Sequence, residues 1–494
     1  MPQASVKIYF SDFFDVNPEL IDEYGAFNVS LVSDLPLFID PFLLFNSRKP
    51  GYQALHADMI GYLRFLRENS VAGGVNPGLL AAWYQFPEVK QNRFGFCLAG
   101  NQGRGLGSEF ATALNENLNK LFSDFGSSKS RISKGQHLEK LCLIRERVGK
   151  DSISDFTTNL IKGYLLSYTE AFAKKHIHSS LRKTLSVKHV KFNYTTETWE
   201  SRAFDLPFDG ADYVLLTPKD ILTKDDIWIN KHDLIEDFSE ICSAIPNSQL
   251  VAQIERYFKA VLPRKPKEKD RREAARKTIL EFKEFIDYYI KYKEAHGDEA
   301  RDISAGKVEL SMNLYVHQFG RLAEALKRTA FYELLGGTRE ETRKRIEFLK
   351  DVIENKDGYR IFYHKQQPIQ RESDLQILFR LTWCGTVSDV NREVNNGRGP
   401  ADFVISRGAL DKGLVEMKLA SNTALRRNLQ HQVEIYKKAG DAQYGFKVIV
   451  YFTSAELAKV KAILRELQIE KEPWVILIDA RDDNKPSASK ASSH

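Results

Sequence analysis

Cysteine is scarce. The four in 494 residues, Cys97, Cys142, Cys242 and Cys384, stand far apart and form no CxxC pair. That excludes a disulfide framework and a cysteine-built zinc site, and it points to a reducing compartment with buried thiols. Long apolar runs are missing too. The greasiest stretch, LPLFIDPFLLF, is broken by Asp40 and Pro41 and is too short to span a bilayer. The start, MPQASVKIYFSDFF, lacks a basic segment followed by an apolar one. These absences predict a cytoplasmic protein with no membrane partner. Neither sign of charge dominates: 72 lysines and arginines face 66 acids, a formal net charge of +6, which permits nucleic-acid binding without demanding it. Internal repeats are absent. One glycine-rich loop, GNQGRGLGS at Gly100–Ser108, lacks the Lys-Ser/Thr pair of a P-loop and the spacing of a dinucleotide fingerprint. It reads as a turn before a helix at Glu109–Phe122, with an anion-binding nest around Arg104 as the lesser alternative.

What is present is an ordinary globular composition, 43% apolar and 28% charged, with chain enough for two or three domains. Residues 1–260 read as a mixed α/β region. Short strands are expected at Val29–Val32, Leu37–Ile39, Tyr213–Leu216 and Ile227–Ile229, and helices at Tyr52–Arg67 and Asp155–Lys174. Asp40, before a proline, is expected to be a turn residue rather than a metal ligand. Lys174 to Lys191 contains no acid and carries Lys174, Lys175, Arg182, Lys183 and Lys188 beside three histidines. It reads as a solvated surface or, alternatively, as a face that contacts phosphate; His176 and His178 alone make a weak metal site. LPRKPKEKDRREAARK, from Leu262, reads as a linker into a helical region over 261–358, with Thr338 as an N-cap after Gly336–Gly337. Residues 359–482 form a last α/β domain, and 483–494 a polar, disordered tail.

The most informative stretch is Gly397–Tyr436. Asp402–Ile405 is apolar apart from its aspartate, as a buried strand is, and 407–413 is rich in turn formers. In Leu414–Leu419 a period of two puts Leu414, Glu416 and Lys418 on one face and Val415, Met417 and Leu419 on the other. A carboxylate and an ammonium in so apolar a strand are costly unless compensated, and a divalent cation compensates them. Asp402 and Glu416 supply hard oxygens suited to Mg2+ or Mn2+. Lys418 then orients or helps to deprotonate a water for attack on a phosphodiester. The plain alternative is an edge-strand ion pair with Asp402 in a turn.

An aspartate on one strand and Glu-x-Lys on the next resembles the PD-(D/E)xK nuclease superfamily. Gln432 and Tyr436, four apart on one helical face, resemble the Gln-x-x-x-Tyr motif of its RecB-like branch. Ala401 precedes Asp402, so the literal Pro-Asp pair is absent. The resemblance covers roughly the last quarter of the chain. It implies a restriction-endonuclease-like αβββαβ core, and the order read from the sequence is compatible: a helix at Arg371–Leu381, strands near Thr386–Val394, Asp402–Ile405 and Leu414–Leu419, a helix at Ala424–Lys438, a strand at Lys447–Phe452, a helix at Ala455–Leu467 and a strand at Trp474–Ile478. It implies a metal held by Asp402, Glu416 and the Met417 carbonyl, with Glu372 as a further acidic ligand and Glu393 and Asp374 as rivals. Gln432 and Tyr436 would flank the site, and Arg426, Arg427, Lys437 and Lys438 would meet backbone phosphates. The implied activity is Mg2+-dependent hydrolysis of DNA, with RNA open as a substrate. The class alternative is a nucleic-acid-binding or assembly protein that no longer cuts. An unassigned front region joined to such a domain is similar to bacterial restriction and antiphage effectors, including Shedu-like proteins. The front region of this chain would then recognise the target, hold the enzyme inactive or bind a protein partner, and a homo-oligomer is open, since many nucleases of this fold act as dimers.

Overall fold

A computed structural model describes residues 7–71, 75–95, 106–121, 132–144, 148–327, 337–356, 358–364, 367–383, 386, 388–392, 402–407, 411–430 and 444–485. The chain is mixed α/β, with helices predominant. In the first half, β1 (Leu37–Ile39) pairs antiparallel with β4 (Leu222–Lys224), and a long hairpin joins β2 (Arg182–Asn193) to β3 (Thr198–Pro207). The expected helix Tyr52–Arg67 lies within Pro50–Val71. Asp40 is a turn residue: its carboxylate accepts the Phe42 N–H (2.9 Å) and caps the helix Pro41–Phe45.

Several expectations for this half are corrected. Val29–Val32, Tyr213–Leu216 and Ile227–Ile229 are not strands; the first two regions hold only isolated bridges, at Ser30 and Tyr213. Most of their apolar residues are buried, but among the described residues no strand runs beside them to complete a ladder, and apolar runs report burial rather than pairing. Asp155–Lys174 is two helices, Lys150–Leu160 and Lys162–His176, broken at Ile161 (φ −95°, ψ 9°). The middle region is helical, and of its expected stripe, Ile279, Phe282, Phe285, Ile286, Tyr289 and Ile290, all are buried except Phe282, which is half-buried. The helix Gly297–Ser311 passes through a π-helical turn, Met312–Gln318, into Phe319–Lys327. Thr338 is not the N-cap of the helix Thr338–Asn355; Gly337 holds that place, and Asp411 accepts both the Thr338 N–H (2.9 Å) and its hydroxyl (2.5 Å).

The C-terminal region has a two-residue hairpin, β5 (Tyr363–His364) with β6 (Gln367–Pro368), the helix Glu372–Thr382, and a five-stranded sheet. Its strands are β7 (Asp389–Arg392), β8 (Phe403–Arg407), β9 (Asp411–Leu419), β10 (Tyr444–Tyr451) and β11 (Val475–Asp479), in the order β11-β10-β9-β8-β7. β7, β8 and β9 form an antiparallel meander; β10 and β11 add in parallel to β9. Each parallel step needs a crossover. Residues 425–430, which are helical, lie in the first, and the helix Ser454–Glu466 forms the second.

Alternation along the strands sends Phe403, Val415, Met417, Phe446 and Val448 to one face, against the helices Thr338–Asn355 and Glu372–Thr382. Ile449 and Tyr451 point to the other, against Leu425, Leu429, Val460 and Leu464. The first of these cores does not stop at the sheet. It continues through Tyr315 and Phe319 to Leu37, Phe27 and Ile8, so both ends of the chain share it. A second core, among helices of residues 42–300, is separate.

Candidate active site

Register brings the charged residues together. Phe403 pairs with Val415 across the antiparallel step, so one residue further Asp402 stands opposite Glu416, with both side chains on one face. Lys418 follows on the same face by the period of two. Asp402 lies just before β8 rather than inside it. There it serves the backbone as well, because the Met417 N–H donates to its Oδ2 (2.7 Å).

Lys418 Nζ lies 3.3 Å from Asp402 Oδ2 and 3.5 Å from Glu372 Oε2. Glu372 is the first residue of the helix Glu372–Thr382, and its other oxygen accepts the Leu419 N–H (3.3 Å) and the Asn422 side-chain amide (2.6 Å). Burial pushes the Asp402 pKa up, against the opposing pull of Lys418 and the Met417 amide. For Lys418 burial works downward, but Asp402, Glu372 and Glu416 outweigh it and the ammonium is held above its usual range.

Two members of the site have no counterpart in the sequence reading. Lys447 of β10 is the register partner of Glu416, with Nζ 3.9 Å from its Oε2 and 3.2 Å from the Leu429 carbonyl. Burial pushes it down to about 8, although Glu416 works the other way. A lysine opening an otherwise apolar strand, KVIVYF, was its only signal. Asn422 links Glu372 to the next helix, since its Oδ1 also accepts the Ala424 N–H (2.7 Å). Three carboxylates thus face two ammonium groups where β8, β9, β10 and one helix end meet.

The remaining candidates are placed elsewhere. Asp374 is turned away from the site, onto Lys224 (3.0 Å) and the Tyr315 hydroxyl (2.5 Å). Arg426 is exposed and paired with Glu466 (2.5 Å), and Arg427 is exposed. Lys174 and Lys175 end the helix Lys162–His176, with Lys174 on Glu170 (3.0 Å). Arg182, Lys183 and Lys188 lie on β2, which is not part of the five-stranded sheet. Arg182 pairs with Asp205 (2.5 Å) and Lys183 sits 4.6 Å over the Phe208 ring. Gln432, Tyr436, Lys437, Lys438, Glu393, Arg104, Cys97 and Cys384 lie outside the described residues, as does 486–494 of the tail.

Among the described residues no three histidine, cysteine, aspartate or glutamate side chains are grouped to hold a metal by themselves. A cation here would rest on two carboxylates, with main-chain oxygen and water completing its shell, the usual arrangement for magnesium. The donors are all hard oxygens, and burial of Asp402 makes its charge costly without a cation. To that extent the residues fit such an ion. No helix among the described residues is long and apolar enough to cross a membrane.

Two families are similar to parts of the chain. One, described as a domain of unknown function (DUF8370), matches residues 15–230, and another, a domain of unknown function (DUF8371), matches residues 338–454. No curated protein and no solved structure matches. The second span begins at the helix Thr338–Asn355 and takes in Glu372, Asp402, Glu416, Lys418 and Lys447.

Proposed function

We propose that the protein is a metal-dependent phosphodiesterase of the PD-(D/E)xK type acting on DNA. One observation carries the reading: Asp402, just before β8, stands opposite Glu416 of β9 when the Phe403–Val415 register is extended by one residue, with Lys418 within 3.5 Å of Asp402 and Glu372. The meander β7–β8–β9 followed by parallel β10 supports it, being the strand arrangement that the αβββαβ core requires. Asp402, Glu416 and the Met417 carbonyl would hold Mg2+ or Mn2+. When bound, that ion supplies charge neutralisation at the phosphate and a water acidic enough to attack it. Lys418, kept protonated by its three acidic neighbours, orients a water or a phosphate oxygen by hydrogen bonding. Glu372 fixes Lys418 and the Leu419 amide. In a bacterial defence setting, the front region would restrain or direct this site.

The test is cleavage of supercoiled, linear and single-stranded DNA and of RNA, with and without Mg2+. Asp402→Asn keeps an acceptor for the Met417 N–H while removing the charge. It should lower cleavage by at least about 100-fold with the melting temperature little changed, as should Lys418→Met. Calorimetric titration with Mn2+ should give heat that Asp402→Asn abolishes. Asp402→Asn protein that cuts plasmid at the parent rate would refute the assignment, and RNA-only cleavage would change the substrate.

A further inference from the structure

Asp374 and Arg371 flank Glu372, and both are gripped from the front region by consecutive residues. Lys224, the last residue of β4, puts Nζ 3.0 Å from Asp374 Oδ1, and the pair is almost wholly buried, at 3% and 8% exposure. Its neighbour Asp225 forms an ion pair with Arg371. The grip depends on an unusual turn: the Asp226 N–H donates to the Lys224 carbonyl (2.9 Å), and Asp225 between them adopts φ +75°. A three-residue turn of that hand is strained for an L side chain. It is fastened on every side. Lys150 donates to the Asp225 carbonyl, β1 pairs with β4 up to Lys224, and the Tyr315 ring lies 5.2 Å from the Lys224 ammonium. Tyr315 comes from the π-helical turn, donates its own hydroxyl to Asp374 (2.5 Å), and has its carbonyl bound by the Tyr9 hydroxyl (2.5 Å).

These contacts converge on one helical turn. Arg371 is its N-cap, Glu372 its first residue and Asp374 its third. With the residues on both sides of Glu372 fixed, its carboxylate is left facing Lys418, Leu419 and Asn422. We infer that the turn 224–226 is a positioning clamp for Glu372, through which the region matched over 15–230 sets the geometry of the candidate site. The inference rests on the phosphodiesterase reading only in that Glu372 serves the reaction there; the clamp itself is a statement about position. Lys224 and Asp225 are positioning residues, since they act through the helix and do not touch the reacting atoms. A purely structural ion pair would stabilise the fold and leave the far side of Glu372 indifferent to its loss.

The full chain tests this without added metal, by hydrogen exchange of the segment containing Leu419 and Asn422. Arg371→Ala removes the half-exposed pair and should fold normally. Lys224→Met with Asp374→Asn removes the buried charges together, which avoids a lone buried ion. Both variants should exchange several-fold faster at Leu419–Asn422 while Val448–Tyr451 exchanges as before, and Lys224→Arg alone, which keeps the charge pair with Asp374, should exchange as the parent does. In Mn2+ titrations the same variants should bind about 10-fold more weakly, the usual effect of losing an outer partner. Unchanged exchange at Leu419–Asn422 in both variants overturns the clamp, whatever the titration gives. Parent protein that takes up no Mn2+ and cuts nothing overturns the phosphodiesterase reading, and the exchange data still decide the clamp.

Discussion

Asp40 shows what a buried carboxylate does to this protein's pH response. It is fully enclosed, accepts the Phe42 and Trp228 N–H groups (2.9 and 2.7 Å), and burial pushes its pKa up to about 6. A folded pKa above the unfolded one means the native state holds the proton more tightly. The resulting stability is fully present below about pH 4 and is lost as pH rises through about 6, on the order of 2–3 kcal/mol. The unfolding free energy of the parent minus that of Asp40→Asn should therefore fall by that amount between pH 4 and pH 7; a flat difference would contradict the burial. The same residue marks what sequence alone discloses. Asp before Pro announces a cap, because the signal is local. The partners of Lys224 and Lys447 lie on other elements, and no local pattern names them. Lys447 could only be noticed as an ammonium where an aliphatic side chain was due, whereas Glu416 and Lys418 declared themselves by sharing a period of two.

At the level of elements, the β9–β10 pairing depends on Gly413. Tyr444 is its register partner, and a β-carbon built on Gly413 would stand 1.9 Å from the Tyr444 ring. The ring fills the space a side chain would take, and its hydroxyl reaches Thr342 at 3.1 Å. Gly413→Ala should cost about 1–3 kcal/mol in urea unfolding, the usual effect of overpacking. In a Tyr444→Ala background the cost should drop to a few tenths, because the two sites are in contact. Equal costs in the two backgrounds would remove the ring from the explanation. Every strand of the C-terminal sheet lies within a few residues of its expected place; for β8 to β11 apolar runs coincide there with real ladders, whereas β7, DVNR, carries a single apolar residue. The runs at 29–32, 213–216 and 227–229 looked the same and misled, because a buried segment is apolar whether or not a neighbour completes its hydrogen bonds. Capping also crossed elements: the start of the helix Thr338–Asn355 is served by Asp411 of β9, which no reading of Gly336–Thr338 could supply.

At the scale of the molecule, one core joins the two ends of the chain. Phe379, Leu378 and Trp383 of the C-terminal region pack into the cluster that holds Tyr315, Leu37 and Ile8. A fragment starting at Thr338 would expose part of this surface and strand the Asp374 carboxylate without Lys224. Produced alone, residues 338–494 should show no cooperative thermal transition, and co-expression with 1–337 should restore one. A sharp melt from the fragment by itself would separate the two regions. The strained turn at Asp225 also sets a rule for recombination. Because Lys224 and Asp225 come from one matched span and Arg371 and Asp374 from the other, a chimera that replaces either span inherits half of a charge lock. Unless Lys224 and Asp374 travel together, such a hybrid will carry a buried ion with no counterpart, however well its two halves are made.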